Sequence, residues 1–563
     1  MRVVLFATDV TVTRGSQCLL DSVSLAVHPG SRVGVTGPNG VGKTTLLRVL
    51  AGELAADSGR LERRPANLRV ALFPQENDAR PGETLLEYLS RRSGMKEAED
   101  SLDAETERLS TDPSALDGYS EALERFLALG GDDFVARVGT AAASVGFAPG
   151  CLGEAVESMS GGQSARARLV SVMLSRADVL LLDEPTNDLD FSGLSFLEAT
   201  LAAFPGAVVM VSHDRAFLDV AATAIFDLDG HSHKASLYAG AWSEFVERRA
   251  LAQSHASAAY QSWKAERDRL KARVRAQRAW SEEGVRRART RPADNDKIRR
   301  STTRDRTEKQ ASKVRISEKA LARLGEVDKP WEGWKLHLDL AHSERSGDVV
   351  VRLSGAVVTN GPWRLEPVDL EVNWADRVVI TGPNGGGKST LLRALTGGQA
   401  LDEGRRWVGP SVRFGQLDQA RAGFGFEQSL VDSLVGTGGA TLEEVRSTLA
   451  KFDLEAGHVT RPYGRLSPGE RTRAALARLS LARTNCLVLD EPTNHLDLPA
   501  IEQLEEALDS FEGTLLVVTH DRWMLQALRF DRHLEVQGGA VTETPAEDFW
   551  VGPLGIEPRT KGL

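Results

Sequence analysis

Two runs in the chain have the residue types and spacing that can hold a row of phosphates. GPNGVGKTT at 37–45 and GPNGGGKST at 382–390 share the pattern Gly-x4-Gly-Lys-Ser/Thr. Gly37, Gly40 and Gly42, like Gly382, Gly385 and Gly387, let backbone N–H groups close around phosphate oxygens at a helix N-terminus. Lys43 and Lys388 would neutralise β- and γ-phosphates, and the hydroxyls of Thr44 and Ser389 would ligate Mg2+. Asn39, Thr45, Asn384 and Thr390 complete the two nucleotide-binding loops. A second pair of runs, LLLDE at 180–184 and LVLDE at 487–491, reads as buried strands that end in paired acids. Asp183 and Asp490 stand where an acid would hold the Mg2+ shell, and Glu184 and Glu491 are placed to polarise an attacking water. Further on, apolar strands end in Ser-His-Asp and Thr-His-Asp, so that His213 and His520 would reach a γ-phosphate.

Groups of this kind need rigid elements behind them. Val33 and Val35, and Val378, Val379 and Ile380, lead into the two loops as strands, while amphipathic LLRVL and LLRAL lead out as helices. The motifs also repeat in register. From the first loop to the second the displacement is 345 residues, and the three later motif pairs are each displaced by 307. One domain has therefore been duplicated, with 38 extra residues between the first and second motifs of the first copy. The expected fold is α/β, two tandem phosphate-loop domains joined by a helical linker.

Composition bounds the rest. At 563 residues the chain exceeds one core and calls for about three domain-sized units. No apolar run approaches the ~18 residues of a membrane span. The start, MRVVLFATDVTVTRG, reads as a first strand rather than a secretory signal. Cys18, Cys151 and Cys486 are scattered, without metal spacing, as in a reduced compartment. A cytoplasmic protein with no membrane partner is expected. The net charge of −10, from 69 Lys+Arg against 79 Asp+Glu, points at first away from nucleic acid.

MSGGQSARARL at 159–169 and LSPGERTRAAL at 466–476 complete a motif set that resembles the ABC ATPase superfamily. In that family two domains stack head to tail, each ATP lying between one phosphate loop and the other domain's signature. The resemblance implies one composite site from Lys43, Thr44, Asp183 and Glu184 with Ser467 and Gly469. The other would join Lys388, Ser389, Asp490 and Glu491 with Ser160 and Gly162, and the signature residues Gln163 and Glu470 also count as nucleotide contacts. Gln75, 32 residues beyond Lys43, matches the family's Mg2+- and water-sensing glutamine; its partner is Gln419, 31 beyond Lys388, or else Gln416. Pro468 and Glu470 depart from the usual signature, and Asp188 stands where the second copy has His495, so the two sites are expected to differ in rate.

Between the copies, Trp242 to Arg291 has no proline and a single glycine, Pro292 interrupts, and Ala293 to Leu324 has neither. Helix formers dominate, which predicts a helical hairpin. From Gln261 to Arg323 there are 21 Lys+Arg against 9 Asp+Glu, a local +12 that leaves −22 for the remainder. The expected bend is itself basic, with Arg286, Arg287, Arg289, Arg291, Lys297, Arg299 and Arg300 as RNA-binding candidates. Tandem ABC domains, no membrane segment and a long basic linker together resemble the ABC-F family. That resemblance implies ATP and Mg2+ as cofactors, and ATP hydrolysis on the 70S ribosome, with the linker reaching the P-site tRNA and 23S rRNA near the peptidyl transferase centre. It further implies a monomer with an intramolecular pair of ATPase domains. The role would be protection against antibiotics such as macrolides or lincosamides. A housekeeping translation factor is the alternative, or the ATPase of a drug exporter with a separate permease. The expected boundaries are 1–241 for the first domain (with a short arm around 92–131), 242–328 for the linker, 329–550 for the second domain and 551–563 for a disordered tail.

Overall fold

The computed structural model describes residues 4–15, 17–74, 78–148, 150–290, 316, 319–320, 323–325, 345–361, 363–417, 427–452, 454, 456–482, 484–494 and 496–545. Each copy contains two sheets. In the first, β1 (Val4–Arg14), β2 (Gln17–Val27) and β4 (Ser58–Arg64) form an antiparallel sheet of order β2-β1-β4. The other sheet comprises β3 (Arg32–Thr36), β5 (Val70–Phe73), β6 (Val179–Asp183), β7 (Ala207–Val211), β8 (Ala224–Leu228) and β9 (Ala235–Ala239). Its order is β5-β6-β7-β3-β8-β9, parallel except for the final antiparallel pair. The strands VLLLD and AVVMV are buried at every position, which is why they read as unbroken apolar runs rather than alternating ones.

The second copy repeats this plan. β10 (Val349–Asn360), β11 (Trp363–Asn373) and β13 (Glu403–Val408) form the antiparallel sheet. β12 (Arg377–Thr381), β14 (Phe414–Leu417), β15 (Cys486–Asp490), β16 (Thr514–Val518), β17 (Arg532–Gln537) and β18 (Ala540–Pro545) form the other, in the order β14-β15-β16-β12-β17-β18.

In both copies the helix that leaves the phosphate loop fills the space between the sheets. Leu46, Leu47 and Leu50 of Lys43–Ala51 are fully buried in one core with Leu5, Leu20 and Val33. Leu391, Leu392 and Leu395 of Lys388–Thr396 do the same with Val351, Leu353 and Val378. The loop is thus held at both ends by packed elements. The extra residues of the first copy form the helices Met95–Thr111 and Leu116–Ala128, tied by an Arg125–Glu97 ion pair at 3.1 Å.

The linker is a unit of its own, Ser243–Gly333. The helix Trp242–Thr290 runs for 49 residues, about 73 Å at ~1.5 Å per residue. It buries Leu270 and Val274, and Trp263 donates from Nε1 to the Gly325 carbonyl at 2.5 Å, so residues 62 apart in sequence meet side by side. Arg286, Arg287 and Arg289 fall on this helix. Their side chains lie outside the described residues, as do Arg291, Lys297, Arg299, Arg300, the expected bend and the tail 551–563. Among the described residues no helix is long and apolar enough to cross a membrane.

Replacing fully buried Leu47 by Ala should cost about 2–5 kcal/mol. Leu127→Ala, at a site 52% exposed, should cost less than about 0.5 kcal/mol. Urea unfolding midpoints of the two variants check the contrast.

Candidate functional site

Each phosphate loop begins where a glycine is compulsory. Gly37 has φ 145°, and a Cβ there would lie 2.5 Å from the Leu228 carbonyl oxygen. Gly382 has φ 141° and meets the Val536 carbonyl in the same way. The loop is therefore wedged against the neighbouring strand, and its lysine folds back over it. Lys43 Nζ donates to the carbonyls of Gly37 (2.7 Å) and Pro38 (3.2 Å); Lys388 Nζ does so to Gly382 (2.8 Å) and Pro383 (3.1 Å). Burial lowers the pKa of both ammonium groups, and the nearby acids Glu184 and Glu491 oppose that shift.

The paired acids stand at the ends of β6 and β15, beside the loops. Asp183 is 4% exposed; burial raises its pKa, against a hydrogen bond with Thr44 and the charge of Lys43. Glu184 and Glu491 adopt left-handed backbone conformations, φ 47° and 48°. That conformation costs a residue with a Cβ roughly 1–3 kcal/mol. It lets the chain turn away from the sheet while the Glu184 and Glu491 N–H groups still donate to Val211 and Val518 on the adjacent strands, at 2.9 Å in both copies. Burial pushes the Glu184 carboxyl up to about 7, against the pull of Lys43, and the Glu491 carboxyl up to about 8, against Lys388.

Each glutamate has its histidine at hand. His213 Nε2 lies 3.3 Å from Glu184 Oε1, and the His213 N–H donates to Glu184 Oε2 at 3.2 Å. His520 Nε2 lies 3.5 Å from Glu491 Oε1. Burial, with Lys388 nearby, drives the His520 pKa down to about 3, so this imidazole is neutral at ordinary pH. A neutral ring can hand a proton donor or a lone pair to a phosphate oxygen or a water.

The two copies meet at these motifs. The Asn384 N–H donates to Asp190 Oδ2 at 3.0 Å, and its side-chain amide donates to the Asp188 carbonyl at 2.6 Å. Reciprocally, the Asn39 N–H donates to Asp497 Oδ2 at 3.2 Å. Both aspartates also cap the helices they begin, through Gly193 N at 3.0 Å and Ala500 N at 3.3 Å. A Cβ on Gly162 would lie 3.0 Å from Asn384 Cβ, so the first signature faces the second phosphate loop. A cavity of about 1060 Å3 is lined by both loops, both acid pairs, and Ser160, Gly162, Ser467 and Glu470.

The signature serines cap their helices. Ser160 accepts from Gln163 N (3.3 Å), and Gln163 Oε1 accepts from Ser160 N (2.9 Å). Ser467 and Glu470 form the same box, at 3.3 and 2.7 Å. The departures in the second signature leave this geometry intact. Pro468 occupies the start of the helix, where its missing N–H costs nothing, and a glutamate completes a capping box as well as a glutamine does. Glu470 gains a neighbour in His458, 3.3 Å away. The copies differ in bulk beside the phosphate loop: Trp363 at the start of β11 packs on Gly387, whereas Gln17 begins β2.

Thr44 and Asp183 set two hard oxygen donors side by side, and Ser389 and Asp490 hold the matching positions. Such a sparse oxygen set suits Mg2+, which keeps waters and phosphate oxygens as its remaining ligands. β5 ends two residues before Gln75 and β14 two before Gln419; both glutamines lie outside the described residues, as does His495. Gln416 lies within β14. Sequence reasoning missed Asp190 and Asp497, the left-handed glutamates, and the arginines that follow the histidines.

A family model described as "ABC transporter" matches residues 20–187 and again 365–494. The chain is 33% identical over 549 residues to the tylosin resistance ATP-binding protein TlrC of Streptomyces fradiae, covering 95% of this chain and 97% of that one. It is 31% identical over 552 residues to the putative ATP-binding protein YdiF of Bacillus subtilis (strain 168), with 96% and 81% covered. ABC transporter F family member 5 of Arabidopsis thaliana is 27% identical over 558 residues, with 97% and 76% covered. The chain belongs to the ABC-F family. As an ABC-F protein it binds ATP and is an ATPase. Its fold is also that of solved chains at lower identity. The RNase-L Inhibitor aligns with TM-score 0.57 and 18% identity, covering 96% of this chain and 92% of that one. A chain of the assembly of ribosome-bound archaeal Pelota and ABCE1 aligns with TM-score 0.58 and 19% identity, with 96% and 79% covered.

Gly162→Val would force the first signature away from Asn384. ATPase turnover should fall at least about tenfold, equivalent to ~1.4 kcal/mol, while a fluorescent ATP analogue still binds within a factor of about two. Turnover assays and analogue titrations check this.

Proposed function

We propose that this ABC-F ATPase acts on the 70S ribosome, with the linker reaching the P-site tRNA and the 23S rRNA, and that it protects the ribosome against antibiotics of the macrolide or lincosamide type. The observation that carries the reading is the linker: an arginine-rich segment, 21 Lys+Arg against 9 acids over 261–323, that includes much of a 49-residue helix in an otherwise acidic chain. Arginine in such density suits the backbone and stacked bases of folded RNA. A full-length relative at 33% identity that carries tylosin resistance in its name supports the antibiotic side. The protein would work in the cytoplasm as a monomer, its two copies forming both ATP sites within one chain.

In each site the chain's own groups divide the work. Backbone N–H groups of the loop and Lys43 or Lys388 hold the β- and γ-phosphates, and the helix N-termini at Ser160 and Ser467 face the same anion from the opposite copy. Glu184 and Glu491 accept a proton from the attacking water as it adds to the γ-phosphorus, and His213 and His520 hold the γ-phosphate in line. Thr44 and Asp183 in one site, Ser389 and Asp490 in the other, with Gln75 and Gln419, would hold Mg2+, which when bound would supply positive charge beside the phosphates. No covalent intermediate is needed, because positioning and charge stabilisation carry the step. Hydrolysis reopens the copies and releases the ribosome.

A Glu184→Gln/Glu491→Gln variant should stay closed on ATP, co-sediment with 70S ribosomes in ATP and inhibit translation in vitro. Absence from the ribosomal pellet, with recovery on membranes that carry a permease, would overturn the reading. Wild-type protein should restore translation stalled by tylosin; restored translation without drug, and none with it, would favour the housekeeping role.

A further inference from the structure

The residue after each Ser/Thr-His-Asp motif crosses to the other copy. Arg215 is 3% exposed and donates both Nη groups to the carboxylate of Glu505, Nη1 to Oε2 at 3.0 Å. Its guanidinium also lies over the Trp523 ring, 5.3 Å from the centroid, and 3.8 Å from Asp521. In the mirrored position Arg522 Nη1 donates to Glu198 Oε1 at 2.8 Å, and Nη2 donates to Ser195 Oγ at 3.3 Å. Glu198 and Glu505 hold the same place in their helices, eight residues beyond the capping aspartates Asp190 and Asp497, or about 12 Å along the axis.

One helix therefore touches a single composite site twice. The helix Leu498–Asp509 holds the Asn39 N–H of the first phosphate loop through Asp497, and two turns later holds Arg215 through Glu505. Arg215 is two residues from His213, which sits against Glu184. The helix Phe191–Ala203 makes the same two contacts with the second site, through Asp190 and Glu198, and adds Phe191, whose ring meets that of His520 edge-on at 5.0 Å.

We propose that Arg215 and Arg522 are positioning residues: each clamps the His-Asp turn of its own copy to the opposite copy's helix, and so sets the histidine–glutamate pair for hydrolysis only when the copies are closed. Neither arginine lies on the loop that grips the phosphates, so the clamp governs turnover rather than nucleotide affinity. The two clamps are unequal. Arg215 and Glu505 side chains are 3% and 10% exposed, against 15% and 16% for Arg522 and Glu198. Losing one partner of the drier pair leaves a buried charge uncompensated, so the Glu184 site depends on its clamp more strongly.

The test uses the full chain and its ATPase activity, and stands apart from any action on the ribosome. Arg215→Ala/Arg522→Ala should lower kcat at least tenfold while KM for ATP and the Kd of a fluorescent ATP analogue stay within about twofold. The isosteric Glu505→Gln/Glu198→Gln pair should reproduce that loss, and Arg215→Lys/Arg522→Lys should recover part of it. Should the alanine pair fail to fold, judged by its melting transition, the glutamine pair decides alone. An unchanged kcat in the glutamine pair, or a loss of kcat matched by an equal loss of nucleotide affinity, would overturn the proposal.

Discussion

Backbone N–H groups at the tip of a phosphate loop are oriented by the loop but cannot be satisfied within it, and here one in each copy donates to a carboxylate of the other copy. The Asn39 N–H reaches Asp497 and the Asn384 N–H reaches Asp190. Those same aspartates cap helices, so their carboxylates are fixed before the partner loop arrives. Burial alone would raise the Asp190 carboxyl, but hydrogen bonds from Ser192, Asn384 and Gly193 outweigh it and hold the group below the usual carboxylate range. The rest of the site follows from this pairing. It brings the signature of one copy to the loop of the other, beside Glu184 and Glu491, whose carboxyls burial raises.

Many of the contacts that join the copies are hydrogen bonds and ion pairs. A typical hydrogen bond nets only about 1 kcal/mol once its water partners are counted. An interface of that kind can be tipped by a ligand that prefers the closed arrangement by a few kcal/mol, of order the ~5.5 kcal/mol that moves an equilibrium from about 1:99 to about 99:1. ATP bound between a phosphate loop and the opposite signature, as proposed, would be such a ligand. The apolar strength of the molecule lies instead inside each copy, around the helices that carry Lys43 and Lys388.

Much of this could be read in the sequence, for identifiable reasons. The loops, the paired acids and the histidines sit at strand ends, where apolar β-branched runs give way to glycines or acids, and the duplication displays each motif twice. The unbroken runs VLLLD and CLVLD signalled strands buried on both faces, and they are. The partners of Asn39 and Asn384 could not be read, because a hydrogen bond between residues 458 or 194 apart leaves no local periodicity. The left-handed turns at Glu184 and Glu491 were hidden too, since glutamate is not a residue that advertises positive φ. A signal for the arginine clamps did exist: His-Asp-Arg recurs at 213–215 and 520–522, and Glu198 and Glu505 share its displacement of 307 residues. Its meaning needed the opposite copy in place.

The head-to-tail arrangement of the two copies is the claim on which the composite sites rest, and a cross-link measures it directly. In a background with Cys18, Cys151 and Cys486 replaced by serine, Gly162→Cys and Asn384→Cys would place two thiols where the structure sets a Cβ contact at 3.0 Å. Disulfides need Cβ atoms about 3.5–4.5 Å apart, which a small relaxation supplies. Oxidation should join peptides containing 162 and 384, identified by mass spectrometry, with a yield that rises in ATP. No such link in ATP, with Gly162→Cys joining Asn39→Cys of its own copy instead, would contradict the account.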